Sequence, residues 1–136
     1  MLADAIALRE GLYGIFSAVA TSQPPSQVEF ALLQQALAEA PSRDRLVRTV
    51  AGCAWQTDQV QPSAPNFLAP VLWSAGDLIT KGGHGTVRRC ANLACLWLFV
   101  DASRTATRRW CDMASCGNRD KARRHYLRAK ADAGQS

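Results

Sequence analysis

Cys90-Ala-Asn-Leu-Ala-Cys95 and Cys111-Asp-Met-Ala-Ser-Cys116 are two C-x4-C pairs with fifteen residues between them. Zinc takes four ligands in a tetrahedron and binds thiolate sulfur well, so two short loops, each offering two sulfurs, can close its shell with little chain strain. The spacing lies near the usual two-pair zinc pattern, with each loop longer than the common C-x2-C. Other uses of four cysteines fit less well. Disulfides belong to oxidising compartments, and Met1-Leu-Ala-Asp-Ala5 has neither the basic flank nor the apolar run of a secretion signal. The spacing matches no ferredoxin-type iron–sulfur run. Unrelated core cysteines would be out of place in the most polar part of the chain. The reading is one zinc ion on Cys90, Cys95, Cys111 and Cys116. With all four positions filled by protein, the metal is structural and not catalytic.

The residues around these pairs need such a staple. Between 88 and 130 the large apolar side chains are mostly Trp97, Leu98, Phe99, Val100, Trp110, Tyr126 and Leu127. A segment this small rarely stabilises itself by burial alone, and metal binding supplies folding free energy. The charge is also uneven. Residues 88–136 carry eleven basic and four acidic side chains, net +7, against five basic and seven acidic, net −2, over residues 1–87. A near-neutral body with a basic module at one end is the asymmetry expected when that end meets a polyanion.

Upstream, Ala5, Leu8, Leu12, Ile15, Phe16 and Val19 recur at helical spacing and predict a helix over 3–21, ended by Thr21-Ser-Gln-Pro-Pro25. Ser26-Gln-Val-Glu29 reads as a capping box opening a second helix that stops before Pro41. Leu46, Val47, Val50 and Trp55 around Ala51-Gly52 suggest a β-hairpin over 45–57, with a helical reading still open. Gln61-Pro-Ser-Ala-Pro65 is a loop, a third helix covers about 66–80 with Pro70 in its first turn, and Lys81-Gly-Gly-His-Gly85 is a hinge. No membrane-length apolar run occurs, and the expected location is the cytoplasm. Asp77, Ser74 and His84 form no nucleophile–base arrangement, and lone Cys53 reads as a small buried hydrophobe. No enzyme is expected.

Cys116-Gly-Asn-Arg119 is the tetrapeptide that names the CGNR zinc-finger family. Arg89-Cys90-Ala-Asn92, Trp97-Leu-Phe-Val-Asp101, Ser103-Arg104, Arg108-Arg-Trp-Cys111 and Lys121-Ala-Arg-Arg-His125 resemble that family as well, over about residues 86–130. Residues 1–80 more loosely resemble the helical ABATE domain that precedes this finger in bacterial proteins, through the arginine of Ala7-Leu-Arg-Glu10 and the pair Asp77-Leu78. Members usually carry further sequence before the first helix, so the resemblance implies an N-terminally short chain. It also implies an α+β fold. A mainly helical body with a short hairpin over 1–85 would precede a small treble-clef-like four-cysteine module over 86–130, which ends in a basic helix. A polar tail follows at 131–136. The implied role is transcription regulation, in some members linked to stress.

A helix over 117–130 would put Arg119, Arg123 and Lys130 on one side and Lys121, Arg124 and Arg128 nearly opposite, too polar for a core element. Arg104, Arg108, Arg109, Arg119, Lys121, Arg123, Arg124 and Arg128 are the candidate nucleic-acid contacts, because the guanidinium fork matches phosphate. Some of this charge could instead balance the metal, since zinc with four thiolates has a formal charge of about −2. Arg108, Arg109 and Arg119 share that ambiguity, and Trp97 and Trp110 are expected to pack around the metal. DNA is the first partner expected. The alternatives are RNA, or a protein partner docked on a zinc-shaped surface. The helical body is a candidate homodimer interface or site for a small-molecule effector.

Overall fold

The computed structural model describes residues 1–56, 63–80 and 85–133. Residues 61 and 62 of the loop read at 61–65, most of the hinge at 81–85 with His84, and residues 134–136 of the tail lie outside them. The chain forms two units, Met1–His84 and Gly85–Ser136. No helix among the described residues is long and apolar enough to cross a membrane.

In the first unit the helical spacing of apolar residues produces α1 (Leu2–Ala20) and α2 (Gln27–Glu39). Their facing stripes, with residues from α3 (Ala64–Phe67) and α4 (Ala69–Ile79), form a core of Leu8, Ile15, Leu33, Ala36, Ala64 and Leu72. α1 and α2 touch closely at Gly14, where a Cβ would stand 1.9 Å from Glu29 Oε1. That contact explains why the predicted capping box does not form. Ser26 is the N-cap of α2 without a side-chain cap bond, and the Glu29 carboxylate packs on α1 instead of folding back.

The single helix predicted at 66–80 begins earlier and is broken at Leu68. Ser63 caps α3 by accepting the Asn66 N–H at 3.3 Å. In a continuous helix Pro70 would lack the N–H owed to the Asn66 carbonyl, and its ring would crowd that carbonyl. The helix therefore restarts, with Pro70 in the first turn of α4.

The hairpin is present. β1 (Arg45–Thr49) pairs antiparallel with β2 (Gly52–Gln56), with Leu46 opposite Trp55. It is largely exposed, and Cys53 on β2 is exposed too, contrary to the buried role expected of it. Arg43 ties this region to α4. Its guanidinium donates to both Asp77 oxygens, at 2.8 and 3.0 Å, and lies 5.4 and 5.9 Å from the Trp55 and Trp73 rings. Asp77 is thus a partner in a clamp rather than an isolated polar residue, and the hydrogen bonds from Arg43 hold its carboxyl below the usual range.

In the second unit β3 (Thr86–Arg89) and β4 (Leu98–Asp101) form an antiparallel hairpin, Thr86 opposite Asp101 and Arg89 opposite Leu98. A wide, π-type turn at Met113–Gly117 then leads into α5 (Asn118–Ala133), which extends past the predicted end at 130. The architecture is α+β, as read from the sequence. Entry into β3 depends on Gly85, whose φ is +116° and whose Cβ would stand 2.6 Å from Val100 Cγ1 and 2.9 Å from the Asp101 carbonyl oxygen. Gly85→Ala is expected to destabilise this unit by about 1–3 kcal/mol. Thermal unfolding of the zinc-loaded protein checks it, and an unchanged midpoint would refute the steric argument.

Candidate metal centre

Four segments of the second unit converge on one point. Cys90 follows β3, Cys95 closes the knuckle that joins β3 to β4, Cys111 ends the loop after β4, and Cys116 lies in the wide turn before α5. Their sulfurs all lie within 4.8 Å of one another. Cys95 Sγ is 3.6 Å from Cys111 Sγ, which is 3.7 Å from Cys116 Sγ. A tetrahedral zinc–thiolate shell with bonds near 2.3 Å requires sulfur separations of about 3.8 Å. Disulfide sulfurs would stand about 2.05 Å apart. The donor set therefore fits one structural zinc, and the four residues are those the spacing selected. Bound there, the metal supplies a covalent cross-link among four chain segments and no open coordination position.

As thiols, Cys111 and Cys90 differ. Burial raises Cys111, reinforced by its contacts with the Cys95, Cys116 and Cys90 sulfurs, to about 12. Burial acts most strongly on Cys90 as well, but hydrogen bonds from the Cys111 and Asn92 amides, together with those from the Cys111 and Cys116 thiols, outweigh it and draw Cys90 down to about 7. Amide donors aimed at sulfur favour the thiolate, the form that binds metal.

The knuckle is held by its own backbone. Cys95 N–H donates to the Asn92 carbonyl at 2.9 Å and Ala94 N–H to Asn92 Oδ1 at 3.1 Å, while Asn92 Nδ2 lies 3.7 Å from Cys116 Sγ. On the helix side, Asp112 accepts from the Ala114 and Ser115 amides at 3.3 and 2.8 Å. Gly117 N–H reaches back five residues to the Asp112 carbonyl at 3.1 Å.

Asp101 organises the loop that delivers Cys111, a role the sequence reading did not assign. It is 2 % exposed. Its carboxylate accepts from Ser103 N–H at 3.0 Å, Ser103 O–H at 2.6 Å and Arg108 N–H at 2.9 Å. Arg88 Nε stands 3.2 Å from Oδ2, an ion pair not aligned as a hydrogen bond. The Ser103 hydroxyl, more than the other partners, keeps the carboxyl below the usual range. An aspartate two residues before a serine is a local turn signal, but the grip on Arg108 is visible only in three dimensions.

The candidate nucleic-acid contacts separate into groups. Arg108 Nε donates to the Trp110 carbonyl at 2.9 Å, its Nη2 donates to the Cys111 carbonyl, and its guanidinium lies 4.8 Å from the Phe99 ring. That fork is spent on shaping the ligand loop. Arg109 lies over the Trp110 ring at 5.2 Å. Arg124 is paired with Asp120 at 2.8 Å on the surface of α5. Arg104, Arg119, Lys121, Arg123 and Arg128 are exposed and make no side-chain hydrogen bond or ion pair among the described residues. Arg119 thus donates no hydrogen bond to the thiolates. Trp110 is half-buried against Gly117, as expected of a packing residue, whereas Trp97 is exposed.

A search among curated proteins finds no match, and neither does one among solved structures. Two family models do match: the CGNR zinc finger over residues 86–129, and ABATE, described as "Putative stress-induced transcription regulator", over residues 1–82. With the larger part of its length matched, this chain belongs to the ABATE family and carries a CGNR zinc finger after the ABATE domain.

Proposed function

We propose that this protein is a cytoplasmic, non-enzymatic transcription regulator that binds duplex DNA through α5, with the zinc fixing where that helix begins. The observation that carries this reading is the helix itself. None of its sixteen residues is buried. It bears Arg119, Lys121, Arg123, Arg124, Arg128 and Lys130 against Asp120 and Asp132. A helix so polar gains little from packing. At about 1.5 Å per residue it is long enough to lie in a major groove while its arginines reach phosphates on the flanking strands.

Binding should be steeply salt-dependent, because each phosphate neutralised contributes about −0.9 to the slope of log K against log salt. Replacing Arg123, Arg124 and Arg128 together by Ala is expected to flatten that slope by about 2.7, one increment for each lost contact. Titration of the zinc-loaded protein with duplex DNA at several salt concentrations measures it. An unaltered slope would move the contact away from α5. Unimpaired capture of a protein partner by the same variant would favour the docking alternative.

A further inference from the structure

The zinc knuckle carries its apolar side chains outward. Leu93 is 90 % exposed and Trp97 is 69 % exposed. On a loose loop such groups would fold back onto the protein. Here the tip is fixed at both ends. Cys90 and Cys95 share one metal, Cys90 N–H donates to the Trp97 carbonyl at 2.9 Å, and two further bonds close the turn through Asn92. The result is a rigid apolar projection.

Its surroundings are cationic. Arg89 is exposed and sits across the hairpin from Leu98, the neighbour of Trp97. The Arg109 carbonyl accepts the Ala91 N–H at 2.9 Å, which brings the chain at Arg109 beside the knuckle. Residues 88–136 as a whole carry net +7. An apolar projection between arginines suits a partner that is anionic outside and apolar within. Duplex DNA is such a partner, since inserted apolar side chains unstack a base step while cations hold the phosphates.

We propose that Trp97 and Leu93 form a wedge that enters a base step of duplex DNA and kinks it. The wedge rests on the DNA-binding reading above and adds to it a second contact, away from α5, that deforms the duplex. The test uses the full zinc-loaded chain and a mixed-sequence duplex of about 30 base pairs, labelled at both ends for energy transfer, at about 50 mM salt. Binding is expected to bring the duplex ends closer and to quench indole fluorescence. Trp97→Phe should keep the bend while losing most of the quenching. Trp97→Ala should abolish the bend and weaken binding about fivefold or more. Its salt slope should be unchanged, because no phosphate contact is removed. Leu93→Ala should reduce the bend. Both side chains are exposed, so these variants should fold, and retained zinc content verifies that they do.

If Trp97→Ala binds and bends the duplex as the parent does, the wedge is overturned while the DNA reading stands. If the parent shows no salt-sensitive affinity for any duplex, both fall. Trp97-dependent binding to phosphatidylserine vesicles, without an effect on the duplex, would assign the projection to a lipid surface and overturn the proposal.

Discussion

Stripping the zinc with a tight chelator is expected to unfold Gly85–Ser136 and to leave Met1–His84 folded. The two units draw on different sources of stability. The cluster of Leu8, Ile15, Leu33, Ala36, Ala64 and Leu72 lies wholly in the first. Among the described residues of the second, the buried apolar ones are Val87 and the ligands Cys90 and Cys116. Structural zinc contributes on the order of 10–16 kcal/mol in zinc-finger peptides near neutral pH, as much as the whole net stability of a typical domain. Nothing in so thin a core could replace it. Cys116→Ser should act similarly, because its sulfur joins the wide turn to the other three ligands. Side-chain signals of Val87 and Phe99 should collapse in nuclear magnetic resonance spectra, with those of Ile15 and Leu72 kept. Survival of the Val87 and Phe99 signals after verified zinc loss would show that the metal is not what holds the module.

The second large effect concerns Asp101→Asn, which preserves shape but removes the charge. The carboxylate satisfies three donors and faces Arg88 from a buried position. An amide in its place can turn only one oxygen toward those donors and presents an NH2 group to the rest. The loop at 102–110 would lose its anchor and Cys111 its placement. The zinc-loaded variant should melt well below Gly85→Ala and give up zinc faster to a competing chelator. A melting point equal to the parent's would refute the role. The pH dependence has a definite sign. The folded pKa of Asp101 is depressed, so its contribution is present above the unfolded value of about 3.9 and is lost as pH falls through the lower folded value. The stability gap between parent and variant should therefore stay constant over the pH range in which zinc remains bound, as followed by thermal unfolding of the zinc-loaded proteins.

What the sequence revealed, and what it hid, follows from how local each determinant is. α1 and α2 were legible because their apolar residues recur along one face. The four ligands were legible because cysteine spacing is a covalent fact that folding does not alter. The break at Leu68 was hidden by an apolar pattern that continues across it, although Pro70 held the reason. The missing cap at Ser26 was hidden because Glu29 found a place over Gly14, a contact between two helices. Asp101 looked like one polar residue of a motif, since its partners Arg88 and Arg108 meet it only once β3, β4 and the following loop have formed. Trp97 was misjudged for a related reason. Aromatic residues beside a metal usually pack, and Trp110 does so because the turn before α5 brings Gly117 against its ring, whereas Trp97 remains exposed.

The wide turn at Met113–Gly117 has a consequence for rotational phase. It holds one residue more per turn than the α-helix it feeds, and each helical residue advances the direction of its side chain by about 100°. With Cys116 pinned to the metal, the number of residues that follow it before the cations clocks everything after it. Deleting Gly117, the last residue of the turn and the first after Cys116, would remove no cation and no ligand, yet it would swing Arg123, Arg124 and Arg128 by roughly a quarter turn about the helix axis. The extra residue thus works as an angular setting, stored at the metal and read out along α5.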